Sequence, residues 1–125
     1  MPRIALIVDD SRTIRMVLAK TLRELGYETA EAANGREALA FLDGTPVPLE
    51  VLLTDWNMPG MSGLELVKEI RERPHLRTLP VIMVTTETEG GHVAAALQAG
   101  ATEYLMKPFT RDMIAGKLRL VGLNV

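Results

Sequence analysis

The chain has no cysteine, so disulfide frameworks and thiolate chemistry, whether metal-binding or redox, are excluded. Aromatic residues make up only 4%, with a single tryptophan. Neither sign of charge dominates: 14 basic and 16 acidic residues give a formal net charge of −2. No basic cluster exceeds two adjacent residues, which leaves no electrostatic footprint for nucleic acid. No apolar run approaches the ~18 residues of a membrane span. Met1-Pro2-Arg3 leads into a short apolar stretch without the pattern of a signal peptide. The expectation is a cytoplasmic protein that engages neither membrane nor nucleic acid. With 125 residues, 47% of them hydrophobic, the chain is long enough to bury a core and is expected to form one domain over 1–125.

What is present is a repeated pattern. Short apolar runs end abruptly in polar or charged residues: Ile4-Ala5-Leu6-Ile7-Val8 at Asp9-Asp10-Ser11, and Val51-Leu52-Leu53 at Thr54-Asp55. Val81-Ile82-Met83-Val84 ends at Thr85-Thr86, and Tyr104-Leu105-Met106 at Lys107-Pro108. Such runs read as strands buried on both faces. Between them lie helical patterns. Ser11 can cap a helix from Arg12 to Leu25 with Ile14, Val17, Leu18, Leu22 and Leu25 inward and Gly26 as its stop. Tyr27 to Ala30 predicts a short second strand, Asn34-Gly35 a turn, and Arg36 to Leu42 a short helix. Ser62 can cap a helix carrying Leu64, Leu66, Val67 and Ile70, and Pro74 and Pro80 bracket the next connection. Glu87 to Gly91 reads as a polar loop, Val93 to Ala99 as a helix closed by Gly100, and Thr110 caps a last helix reaching Val121.

Strand and helix alternate five times, which implies an α/β doubly wound fold with a parallel sheet and right-handed crossovers. Five strands fit the flavodoxin-like order 2-1-3-4-5. That order brings the carboxyl ends of strands 1, 3 and 4 together, so Asp9, Asp10, Asp55 and Thr85 share one crevice. Lys107 starts about 10 Å away, two strand spacings from Asp55, within reach of a long side chain.

Three carboxylates on neighbouring strand ends repel one another unless protonated or bound to a cation. Oxygen ligands without His or Cys favour Mg²⁺, Mn²⁺ or Ca²⁺ over zinc. A cation, an ammonium from Lys107 and a hydroxyl from Thr85 around a carboxylate suit phosphoryl transfer, where catalysis is mostly positioning and charge neutralisation. Asp55 is the central member and is assigned as the nucleophile, forming an acyl phosphate. Asp9 and Asp10 would hold the metal, with a backbone carbonyl near Asn57 completing its shell.

At these positions the chain resembles the receiver domains of two-component response regulators, most closely the stand-alone chemotaxis regulators among them. The motifs are Val8-Asp9-Asp10-Ser11, Asp55-Trp56-Asn57-Met58-Pro59-Gly60-Met61-Ser62-Gly63, Val84-Thr85 and Tyr104-Leu105-Met106-Lys107-Pro108-Phe109, in fixed order over the whole chain. The resemblance implies that Asp55 receives a phosphoryl group from a histidine kinase's phosphohistidine. It implies Mg²⁺ (Mn²⁺ as an alternative) held by Asp10, Asp55 and the Asn57 carbonyl, with Asp9 acting through water. It further implies that Thr85 and Lys107 bind the phosphoryl oxygens and that the Lys107-Pro108 bond is cis. Tyr104 matches the aromatic that fills the space left when the threonine moves inward, which would reshape the helix 4, strand 5 and helix 5 face for a downstream target protein. Asn57 and Glu87 occupy positions that tune phosphoryl lifetime, and imply a short-lived group. A monomer is implied, and no enzymatic activity beyond the domain's own phosphorylation and dephosphorylation.

Two departures bear on this, beside one further match. Thr86 is bulkier than the small residue usual there and would slow phosphodonor access. Gly90-Gly91 replaces basic residues at the start of helix 4, which weakens the link to a flagellar-motor partner. Lys117 matches a basic residue of the target-binding face. Trp56 is expected to pack and to report metal or phosphoryl binding by fluorescence, and His75 and His92 are expected on the surface. The competing functions are a phosphate sink or a phosphorelay outside chemotaxis, a haloacid-dehalogenase-type phosphatase, a flavin-binding domain and a degenerate, constitutive interaction module. The phosphatase needs an Asp-x-Asp and usually a cap domain. A flavin phosphate would be repelled by Asp9-Asp10, and the intact acidic set argues against a degenerate receiver.

Overall fold

The computed structural model describes residues 3–44, 48–86 and 90–125. The elements run β1 (Ile4–Val8), α1 (Arg12–Glu24), β2 (Glu28–Ala32), α2 (Gly35–Gly44), β3 (Leu49–Asp55), α3 (Gly63–Arg71), a 3₁₀ turn (Pro74–Leu76), β4 (Val81–Thr85), α4 (Gly90–Ala99), β5 (Glu103–Met106) and α5 (Arg111–Leu120). All strand pairings are parallel and the sheet order is β2-β1-β3-β4-β5, as the alternating pattern requires. Period-two alternation sorts the core into two layers. Leu6, Val8, Leu52, Val81 and Met83 pack with Ala38, Leu42, Leu66, Val67, Ile70 and Ala96 of α2, α3 and α4. Ala5, Ile7, Val51, Leu53, Ile82, Val84 and Leu105 pack with Leu18, Leu22, Ile114 and Leu118 of α1 and α5. β1, β3 and β4 are therefore covered on both faces, and their carboxyl ends form one rim.

Local chemistry sets the element ends. Ser11, Ser62 and Thr110 cap α1, α3 and α5 by accepting from Ile14 N, Glu65 N and Met113 N, and Glu65 closes a reciprocal capping box on α3. Gly26 and Gly100 follow α1 and α4 at φ 101° and 118°, a backbone region that favours glycine.

Several boundaries and facings differ from the sequence reading. Val17 is 47% exposed, because Leu18, Ala19 and Leu22 define the buried stripe of α1 and Val17 lies about 100° round the helix from Leu18. β2 runs Glu28–Ala32 rather than Tyr27–Ala30. As an edge strand it tolerates two glutamates that break the apolar pattern. Asn34 is a helix cap rather than a simple turn residue: its Oδ1 accepts from Glu37 N at 2.9 Å, and α2 begins at Gly35. Gly90 and Gly91 belong to α4 rather than to a loop before it. The connection between Pro74 and Pro80 contains the short 3₁₀ turn.

Arg71, at the end of α3, holds this side of the molecule together. Its guanidinium donates to Gly100 O at 2.9 Å, Leu76 O at 2.8 Å, Arg77 O at 3.3 Å and Thr102 Oγ1 at 3.3 Å. Burial holds its pKa below the usual arginine value. One side chain thus satisfies three carbonyls, two at the end of the 3₁₀ turn and one after α4, which truncation would leave without their donor. Arg71→Ala should lower unfolding stability by about 2 kcal/mol. Lysine, with one ammonium in place of the planar fork, should restore less than half of that. Urea unfolding of both variants checks the pair of values.

Candidate functional site at the carboxyl rim of the sheet

β1 ends at Val8 and delivers Asp9, which is 2% exposed, while Asp10 beside it is open to solvent. Asp9 is fixed by its neighbours. Its Oδ1 accepts from Ser11 N at 2.8 Å, its backbone N–H donates to Ala32 O at 3.1 Å, and its carbonyl accepts from Arg15 Nη1. Asp55 is the last residue of β3 and 8% exposed. Next to it, Trp56 N donates to Val84 O at 3.0 Å and Gly63 N to Trp56 O at 2.9 Å, so the loop after β3 is tied to β4 and α3.

Carboxylate oxygens of Asp9, Asp10 and Asp55 all lie within 4.8 Å of one another. Lys107 reaches in from the end of β5, its Nζ 3.0 Å from Asp55 Oδ1 and 3.5 Å from Asp9 Oδ2. The ~10 Å gap expected from strand spacing is closed by the lysine side chain, and Lys107 N is set by donating to Thr85 O at 2.8 Å. The Lys107-Pro108 peptide is cis.

Electrostatics leave this cluster short of positive charge. Burial pushes the Asp55 carboxyl above its ordinary value of 3.8; the Lys107 hydrogen bond opposes that rise, and Asp9 and Asp10 add to it. Asp9 Oδ2 is buried and makes no hydrogen bond among the described residues, although Lys107 stands at ion-pair distance. A buried carboxylate oxygen without a hydrogen bond, beside two more carboxylates, has the chemistry of a hard-cation ligand set. The residues present fit a divalent metal ion.

The other sequence-chosen residues fall around this centre. Thr85 ends β4 and is 2% exposed. Thr86 beyond it is exposed, and with Ile14, Lys107, Pro108 and Phe109 it lines an apolar hollow beside the carboxylates. Asn57 is exposed on the loop after β3, and Tyr104 is half-buried on β5. Glu87 lies outside the described residues. His75 is exposed, as expected. His92 is not a plain surface residue. Its ring stacks on Trp56 with centroids 4.4 Å apart and planes 16° from parallel. The two residues come from separate elements, and only the packing of α4 brings them together. Trp56 packs against the core layer that α2, α3 and α4 cover. Two features were missed in the sequence reading. Glu103 and Lys117 pair at 3.3 Å, and Lys117 Nζ lies 4.0 Å from the centroid of the Tyr104 ring. Glu103 was detectable only as the neighbour of Tyr104, with no pattern of its own.

Among the described residues no helix is long and apolar enough to cross a membrane. The family model for the response regulator receiver domain matches residues 5–119. The chain is similar to chemotaxis protein CheY1 of Helicobacter pylori, 46% identical over 95% of this chain and 97% of that protein. It is also similar to chemotaxis protein CheY of Pseudomonas aeruginosa, 42% identical over 93% of each. Among solved structures, chemotaxis protein CheY4 of Vibrio cholerae superposes with a TM-score of 0.89 at 38% identity, covering 97% of this chain and 99% of that one. Phosphorylation-dependent switching is general to this family, whose members are signalling domains served by a phosphodonor kinase and read by downstream targets. With the sheet order, the acidic rim and its lysine in place, the chain belongs to the response regulator receiver family.

Proposed function

We propose that this protein is a chemotaxis-type response regulator in which Asp55 accepts a phosphoryl group from a histidine kinase and the α4-β5-α5 face signals the result. The observation that carries the reading is Lys107 Nζ at 3.0 Å from Asp55 Oδ1, where Asp55 shares with Asp9 and Asp10 a cluster of carboxylate oxygens within 4.8 Å of one another. An Asp55 carboxylate oxygen attacks the phosphorus of the donor. The phosphorus–nitrogen bond of the phosphohistidine breaks, and its electron pair stays on the imidazole, which takes a proton. Lys107 accompanies the charge on the incoming phosphoryl oxygens, and the Thr85 hydroxyl donates to one of them. Asp10, Asp55 and the Asn57 carbonyl would hold Mg²⁺, with Asp9 acting through water. When bound, the ion supplies neutralising charge to the phosphoryl oxygens and the three carboxylates. Asp9 and Asp10 also repel any donor that arrives without a cation, which makes the reaction metal-dependent.

Phosphorylation brings roughly −1.5 to −2 units of charge and three acceptor oxygens to a buried site. That draws Thr85 and Lys107 inward, and Tyr104 follows into the space beside β4. The relatives' role in chemotaxis supports motility control as the output. No separate substrate is turned over.

Intact mass after incubation with a small acyl phosphate tests the assignment. One phosphoryl group is expected on the wild type in Mg²⁺, with none after chelation and none on Asp55→Asn. An adduct that persists on Asp55→Asn would move the acceptor elsewhere. Its absence from the wild type with both an acyl phosphate and a phosphorylated histidine kinase would remove the receiver chemistry altogether.

A further inference from the structure

β5 is the edge strand of the sheet, and its register sets Tyr104 beside Met83 and Met106 beside Thr85. Met83 belongs to the core layer that α2, α3 and α4 cover, whereas Ile114 and Leu118 of α5 belong to the opposite layer with Leu105. Lys117 of α5 nevertheless reaches the Tyr104 ring, its Nζ 4.0 Å from the centroid. The base of that lysine is anchored in the core layer by Ile114 and Leu118 of the same helix, which are 1% and 0% exposed. Its tip is paired as well. Glu103 Oε1 accepts from Lys117 Nζ at 3.3 Å and from Tyr104 N at 3.0 Å, so one carboxylate oxygen pins the ammonium to the backbone of the residue whose ring it covers. Lys117 and Glu103 side chains are each 21% exposed, which shields the pair more than an open surface ion pair.

We propose that Lys117 and Glu103 are positioning residues that clamp the Tyr104 ring in its resting place and so set the threshold of the switch. The clamp deepens the function proposed above and rests on its reading of Tyr104 as the ring that moves. A ring travelling toward Thr85 must leave the ammonium, and the lost cation–π contact counts against the active conformation. Since phosphorylation is favoured in that conformation, the clamp also slows phosphorylation from small donors. The expected size is about two- to fivefold.

The chain contains two tyrosines, so 3-fluorotyrosine labelling gives two ¹⁹F resonances, assigned with Tyr27→Phe. Spectra and acyl-phosphate labelling rates would be compared for wild type, Lys117→Gln, Glu103→Gln and Lys117→Arg. In the two glutamine variants, the resting Tyr104 resonance should move toward its phosphorylated position, and labelling should speed up about two- to fivefold. Lys117→Arg keeps a cation over the ring and should stay near wild type. Unchanged rates in both glutamine variants, with a wild-type Tyr104 resonance that does respond to phosphorylation, would overturn the clamp and leave the switch intact. A resting shift without a rate change would reduce it to a local contact and overturn it equally. A wild-type Tyr104 resonance indifferent to phosphorylation would overturn the switch reading and the clamp together, and no adduct in any variant would remove the Asp55 assignment on which both stand.

Discussion

Gly63→Ala should cost about 3 kcal/mol of stability and lower the midpoint of thermal unfolding by about 10 °C. Gly63 opens α3, and a methyl group there would stand 2.1 Å from the Asp55 carbonyl oxygen, 3.0 Å from its carbon and 3.0 Å from Met83 Sδ. The sulfur can swing aside, but the carbonyl cannot. It ends β3, which pairs with β4 through Asp55 and Val84, and the next residue donates to Val84 O at 3.0 Å. Either α3 backs away and loosens Leu66, Val67 and Ile70, all 0% exposed, or the end of β3 shifts. The second route displaces the proposed nucleophile, so phosphoryl acceptance should fall by well over tenfold even in the folded fraction. Gly116→Ala is the control. Its site in α5 has no atom of the described residues within 4 Å of the added carbon, and helix propensity alone should raise stability by about 0.5–1 kcal/mol. Thermal melts of both variants, with acyl-phosphate labelling at a temperature where each is folded, measure the contrast.

Lys107→Ala should destabilise the metal-free protein by about 2 kcal/mol at neutral pH, somewhat below the range for a fully sealed pair because Asp10 opens the site to water. The alanine takes away the ammonium 3.0 Å from Asp55 and 3.5 Å from Asp9 and leaves two buried carboxylates facing each other. The pH dependence follows from the direction of the Asp55 shift. Burial already raises its folded pKa above 3.8, and Lys107 is the group that opposes the rise, so removing it raises the pKa further. Between the unfolded and folded values the folded chain holds more protons, and stability falls as pH rises through that window. The deficit of the variant should therefore be largest at neutral pH and shrink as the medium is acidified toward 3.8. Millimolar Mg²⁺ should recover part of it, as a second way of neutralising the same carboxylates. Urea unfolding at neutral and mildly acidic pH, with and without Mg²⁺, gives the four numbers required. A deficit indifferent to both would make Lys107 a packing residue.

The carboxylate cluster was legible in the sequence because it depends on little beyond strand order. Asp9, Asp10, Asp55 and Thr85 each follow an apolar run, and any parallel sheet with strands 1, 3 and 4 adjacent brings those ends together. Lys107 needed one assumption more, that its side chain turns inward along the rim, and the 3.0 Å contact with Asp55 meets it. Val17 failed for a different reason. Both Val17 and Leu18 satisfy a helical spacing rule, and the choice between them depends on the angle at which α1 lies on the sheet, which leaves Val17 47% exposed and Leu18 1%. β2 slipped because edge strands carry glutamates that blur the apolar pattern.

His92 marks the limit of that reasoning. No local pattern joins it to Trp56, since their 4.4 Å stack exists only because α4 crosses above the loop that follows β3. The grip of Lys117 on Tyr104, the four carbonyl and hydroxyl contacts of Arg71, and the closeness of Gly63 to the Asp55 carbonyl are of the same kind. By itself the sequence determined the alternation of strands and helices, the parallel sheet and the set of groups gathered at its rim, because apolar periodicity and chain order act along the backbone. Only the tertiary structure decided which helix face is buried, which glycine admits no methyl group and which side chains contact Tyr104. Those depend on ångström-scale distances between segments that are far apart in the chain, and side-chain packing sets them.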